Sequence, residues 1–292
     1  MAAPAIDGKV ELAWDIRCGT GESPVWSATR DELLFCDIQA GRIHAFGPAS
    51  GARETWKLPG IVASFGICRS GRLVVAQAER VVLYDLERDR ITRLTDPLPL
   101  PAGSRFNDGK VGPDGAFWVG TIDTTPDKRP TSKLYRVTAD GRVEERAAGY
   151  VTCNGLAWTA DGRRMFHCES RPGFVDVWDF DPGRGDIANR RRLADLAADG
   201  RCDGGAADMD GGYWSAAVGG DCLNRLAPDG SIAGKLRLPF PSPTMPCFTP
   251  HGLFITTLRD GRDAQVAEYP HMGGLLRAEV GARGVPVHAF AD

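Results

Sequence analysis

No stretch of the chain approaches the roughly 18 consecutive apolar residues of a membrane-spanning helix, so no membrane partner is expected. Net charge is also slight: 35 Lys and Arg stand against 38 Asp and Glu, leaving −3. That balance gives no drive for counterion release, so nucleic acid is not an expected partner. The single dense basic cluster, Arg190-Arg191-Arg192, reads as a solvated surface loop. None of the eight cysteines (Cys18, Cys36, Cys68, Cys153, Cys168, Cys202, Cys222, Cys247) forms a Cys-x-x-Cys pair, which removes support for a thiolate zinc site. There is no Gly-x-Ser-x-Gly elbow to seat a nucleophilic serine. Residues 1–9 lack the basic and apolar regions of a secretory signal. A cytoplasmic monomer with mostly reduced thiols is the expectation. A convincing amphipathic helix is missing as well; the best fragment, 193–198, is short.

What is present is punctuation. The chain has 36 Gly and 20 Pro among 292 residues, as many short strands and tight turns require. The stretch Thr152-Cys153-Asn154-Gly155-Leu156-Ala157-Trp158 runs into an Asp161-Gly162 turn and a second β-prone run, Met165-Phe166-His167. The same grammar recurs. Asn107-Asp108-Gly109 leads through Asp114-Gly115 to Phe117-Trp118-Val119, and Asp203-Gly204-Gly205 through Asp210-Gly211 to Tyr213-Trp214-Ser215. Looser copies begin at Glu22, Ala63 and Thr244. Six copies spaced by roughly 40 to 48 residues match the period of a four-stranded propeller blade. Runs such as 81–85, 133–137 and 175–180 supply third strands, and 54–58 and 91–94 fourth strands. The expectation is an all-β, six-bladed β-propeller of four-stranded antiparallel blades, a single domain over residues 1–292. Residues 10–14 and 285–290 are expected to share the closing blade, which removes two exposed edges.

Register then singles out residues. Asn107, Asn154 and Asp203 each stand seven positions before the Asp of their turn (Asp114, Asp161, Asp210). Equivalent positions of different blades lie at one height around the ring axis, so these side chains should converge near the channel mouth. Glu22 heads the first copy. Two carboxylates and two amides form an oxygen-only set suited to a hard divalent cation. Asp208 reads as a turn-bracing carboxylate, His167 as a satisfied structural residue, and Trp26, Trp118, Trp158 and Trp214 as packing between blades.

At these residues the chain resembles the senescence-marker/regucalcin/gluconolactonase family of six-bladed propellers. The resemblance rests on Gly21-Glu22-Ser23-Pro24-Val25-Trp26, Arg105-Phe106-Asn107-Asp108-Gly109-Lys110, Cys153-Asn154-Gly155-Leu156-Ala157-Trp158 and Cys202-Asp203-Gly204, in that order. It implies one divalent metal on Glu22, Asn154 and Asp203, with Asp203 also the general base. It places Arg105 and Asn107 against the substrate and offers Asp123, after Gly120-Thr121, as a third substrate contact. Among its branches the chain is most similar to bacterial sugar lactonases, which implies hydrolysis of an aldonolactone. D-xylono-lactone of pentose catabolism is the first substrate expected, and gluconolactonase or arabinolactonase activity the alternatives. Fe2+ is the first metal expected, with Zn2+, Mn2+, Ca2+ and Mg2+ as alternatives. The rivals are an arylesterase-type hydrolase and a metal-binding propeller without catalysis.

Overall fold

A computed structural model describes residues 3–259 and 263–292. Six four-stranded antiparallel sheets stand around a common axis. Their inner strands are Gly21–Ser27, Ser64–Ile67, Ser104–Val111, Cys153–Trp158, Arg201–Ala207 and Pro243–Thr249, blades 1 to 6 in chain order. Within blades 1 to 5 the chain runs outward strand by strand. The expected third and fourth strands fall within or beside Val81–Asp85, Ser132–Val137, Phe174–Asp181, Arg53–Lys57 and Arg90–Arg93.

The sequence pattern explains the packing. Successive strand residues face opposite sides, and a blade inside a ring has a neighbour on both sides. Its strands therefore read as near-continuous apolar runs rather than alternating ones. In the second strand of blade 2, Leu73 and Val75 join residues of blade 1, while Val74 and Ala76 join residues of blade 3. The core is thus six clusters, one at each blade interface. Trp118 and Trp158 meet edge to face across one of them, with ring centres 6.3 Å apart. The Asp208 carboxylate accepts the Asp210 and Gly212 amides, Trp214 Nε1 and Arg225 Nε, bracing its turn as expected.

Ring closure differs from expectation. The outer strand of blade 6 is Lys9–Trp14, but its partner is Leu275–Glu279, not 285–290. The helix Asp263–Glu268 lies between the second and third strands of this blade and displaces the third strand along the chain. Residues 285–290 include Pro286, which has no N–H for a ladder. The segment instead crosses the far side of the ring, with bridges Asp208↔Gly284 and Cys68↔Phe290. Val285, Pro286, Val287 and His288 there line a cavity of about 30 Å³ between the inner strands.

Two further differences are local. Arg190, Arg191 and Arg192 lie on the outer strand of blade 4, Asp186–Asp195, where Asp176 and Asp179 pair with them. His167 is fully buried edge-on to Tyr150, and neither ring nitrogen has a hydrogen-bond partner among the described residues.

Candidate active site

Four inner strands carry a register break just after or around the site residue. The breaks lie between Glu22 and Val25, Phe106 and Gly109, Asn154 and Ala157, and Cys202 and Gly205. A bulge bends a strand and re-aims its side chains. Here the bulges turn the heads of blades 1, 3, 4 and 5 toward the axis. In blade 1 Ser23 takes the left-handed conformation (φ 51) and in blade 4 Gly155 does (φ 66). A Cβ on Gly155 would come within 2.3 Å of the Tyr213 hydroxyl and 2.9 Å of the Asp203 carbonyl, so the residue after Asn154 must be Gly.

The result is a cavity of about 170 Å³ at the end of the ring where the inner strands begin. Glu22, Arg105, Asn107, Asp108, Asn154 and Asp203 all line it. A hydrogen-bond chain links four of them. Arg105 Nη1 donates to Asn107 Oδ1 (3.2 Å), Asn107 Nδ2 to Asn154 Oδ1 (2.8 Å), and Asn154 Nδ2 to Asp203 Oδ1 (2.6 Å). Asn154 Nδ2 also reaches Ser170 Oγ (2.7 Å). Glu22 is turned inward with the Ser23 amide on its Oε2 (2.8 Å).

Electrostatically the cavity is crowded with acid. Burial, then the charges of Asp203 and Asp108, push the Glu22 carboxyl well above the usual carboxylate range. Burial likewise raises Asp203, opposed by the Arg201 charge and reinforced by Asp108. Buried Asp108 is raised by burial too; its Oδ2 accepts the Leu156 amide at 3.3 Å, while Oδ1 has no partner among the described residues. Carboxylates so placed ionise together only with positive charge between them. Among the described residues no three His, Cys, Asp or Glu side chains could hold a metal by themselves. A cation here would draw on carboxylate and amide oxygens together, and Glu22, Asp203 and the Asn154 amide fit a hard divalent ion.

Five of the six residues singled out in the sequence therefore meet in one cavity. Asp123 does not. It is fully buried at the end of its strand, where Oδ1 accepts the Thr125 amide (2.9 Å) and Oδ2 accepts Arg129 N (2.7 Å) and Nε (3.2 Å). With both oxygens occupied it braces the loop 124–131 rather than facing a ligand. Glu169 has the same place in blade 4, accepting the Val151, Thr152 and Arg171 amides at 2.6, 3.0 and 2.8 Å. Asp37 does so in blade 1 for Gly19 and Thr20. Sequence reading missed Asp108 and Ser170 in the cavity, and missed this bracing role. Asp108 sits beside Asn107 in the quoted motif, and that adjacency was the available signal. Cys202 donates to the Glu169 carbonyl (3.3 Å), away from the cavity. All eight cysteines are free and buried.

Residues 20–259 match the family described as the SMP-30/Gluconolactonase/LRE-like region. The chain belongs to this family. Within the SMP-30/gluconolactonase/LRE-like family, it is 34% identical over 277 residues to a 6-deoxy-6-sulfogluconolactonase of Pseudomonas putida, covering 93% of this chain and 94% of that one. It is 31% identical over 291 residues to an L-arabinolactonase of Azospirillum brasilense, covering 97% and 96%. The fold superposes on that of a calcium-binding protein, regucalcin, from Agrobacterium tumefaciens with a TM-score of 0.90 over 100% of both chains at 21% identity.

Proposed function

We propose that this chain hydrolyses a sugar lactone, with one divalent cation held by Glu22, Asn154 and Asp203. The observation that carries the reading is the convergence of these three oxygen-bearing side chains with Asn107 and Arg105 in one cavity. The lactonase names of two relatives, at 34% and 31% identity over nearly the whole chain, point to the same reaction. When bound, the cation would polarise the ester carbonyl and acidify a water.

The chain's own residues then have distinct tasks. Arg105 Nη1 is engaged by the Phe106 carbonyl and Asn107, leaving Nη2 to donate to sugar hydroxyls and orient the ring. Asp203 Oδ1 is held by Asn154, leaving Oδ2 to accept a proton from the attacking water. The water oxygen bonds to the carbonyl carbon, the bond from that carbon to the ring oxygen breaks, and the proton passes from Asp203 to the departing oxygen as a hydroxyl. The product is the open aldonic acid. Asp108, one residue from Asn107, shares the acid-rich cavity and can hold a proton in support.

D-xylono-lactone is the neutral pentose substrate we place first on the panel, and Fe2+ the first metal to load. The test follows proton release from D-xylono-, L-arabinono- and D-glucono-lactone with and without chelator. Metal-dependent opening well above the spontaneous rate is expected. Metal binding with no acceleration on any lactone would instead identify a binding propeller and overturn the reading.

A further inference from the structure

Four cations line the site cavity: Arg105, Lys128, Arg171 and Arg201. Among the described residues none of them is ion-paired with a carboxylate, although Arg129, Arg136, Arg190, Arg192 and Arg225 all are. Lys128 Nζ reaches the Asp123 carbonyl, at 3.4 Å. The backbone that carries these side chains is held at the mouth by built features. The Asp123 brace folds the loop 124–131 back and leaves Lys128, at φ 52, on the cavity wall. The Glu169 brace fixes the backbone of Arg171 at 2.8 Å. Arg201 opens the inner strand two residues before Asp203 and pairs with Val218.

Charge balance shows what these cations are for, given the lactonase reading on which this inference rests. The acids Glu22, Asp203 and Asp108 are matched by a divalent cation and by Lys110, whose charge acts on both Glu22 and Asp108. Arg201 also bears on Asp203 and Arg171 on Glu169, but neither forms an ion pair among the described residues, and with the divalent cation and Lys110 counted the positive charges of the rim are in excess. A neutral sugar asks for hydroxyl-bonding groups, which Arg105 and Asn107 supply, and gains little from three more unpaired charges. An oxyanion takes several charge-assisted hydrogen bonds from them.

We propose that the preferred substrate is a lactone carrying an oxyanion (sulfonate, phosphate or carboxylate) at the end away from the ring carbonyl, and that Lys128, Arg171 and Arg201 receive it. The cavity then has two poles. The acidic pole holds the cation and the carbonyl end. The basic pole holds the anionic end and sets the direction in which the lactone lies.

The experiment compares kcat/KM for D-glucono- and D-xylono-lactone with that for 6-phospho- and 6-sulfo-gluconolactone and a glucaro-lactone, using metal-loaded enzyme. The anionic lactones should exceed the neutral ones by about tenfold or more, and added salt should narrow the gap. The three anions separate sulfonate, phosphate and carboxylate preference. Lys128→Met, Arg171→Met and Arg201→Met, checked for folding by circular dichroism, should each lower the anionic-to-neutral ratio several-fold, chiefly through KM. Equal turnover of neutral and anionic lactones, with a ratio unmoved by all three substitutions, would overturn the proposal. If no lactone of either kind is opened, the lactonase reading fails. Calorimetric titration with 6-phosphogluconate against gluconate then decides the anion site alone: tighter binding of the former, lost in Arg171→Met, upholds it, and equal binding overturns it.

Discussion

Asn154 shows how much one side chain can join. It donates to Asp203 and Ser170 and accepts from Asn107, so it fixes the position of two blades' functional groups at once. Asn154→Ala should lower metal affinity and lactone turnover by at least tenfold, with the melting temperature changed by only a few degrees; metal titration and calorimetry check both. His167 yields a different prediction. Burial and the Arg190 charge pull its pKa from 6.5 to about 3. The unfolded chain therefore takes up this proton at higher pH than the folded one, and this residue alone costs the fold about 1.4 kcal/mol per pH unit as pH falls from 6.5 toward 3. Denaturation midpoints measured between pH 7 and 4 should fall less steeply with pH in His167→Phe than in the parent chain, by up to this slope. Much at this scale could be read from the sequence, because a polar residue at a fixed offset from an Asp-Gly turn is a local signal. Asp123 could not. Apart from Arg129 Nε, its loop partners are the backbone amides of Thr125 and Arg129, which any residue types could provide, so the carboxylate looked the same whether it faced inward or outward.

Strands carry the next level of organisation. The bulges after Glu22, Asn154 and Cys202 left no pattern in the sequence beyond the nearby glycines, since an extra residue in one strand shows only against its partner. Gly155→Ala tests the bulge of blade 4. The left-handed backbone and the approach of the Tyr213 hydroxyl should cost about 1–3 kcal/mol or more and displace Asn154. Both the unfolding midpoint and lactone turnover should fall, whereas a substitution that leaves both unchanged would deny the bulge its role. The carboxylates closing the second strands of blades 1, 3 and 4 form a parallel device: each spends its oxygens on the amides of a loop at the cavity end of the ring. Asp123→Ala should release the loop 124–131, seen as faster amide exchange at Thr125 and Arg129.

Across the whole molecule the core is divided among six interfaces, and the one between blades 6 and 1 forms only when the ring closes. Removing residues 1–14 would strip the outer strand from blade 6 and bare the edge of Leu275–Glu279. A lower melting temperature and concentration-dependent aggregation are the expected results, by calorimetry and light scattering. The six-fold repeat was plain in the sequence because each blade repeats one turn grammar; the closure was not, because the helix inserted in blade 6 breaks the count from the end. The misplaced segment has a consequence of its own. Residues 284–290 run across the far side of the ring and line the pocket there, so the site cavity is expected to have one doorway, at the end where the inner strands begin. Whatever enters must turn its back on a wall, and the opened acid must go out past the same arginines that greeted the lactone. Product and substrate thus contend for a single passage, and the aldonate should act as a competitive inhibitor, raising the apparent KM and leaving kcat unmoved.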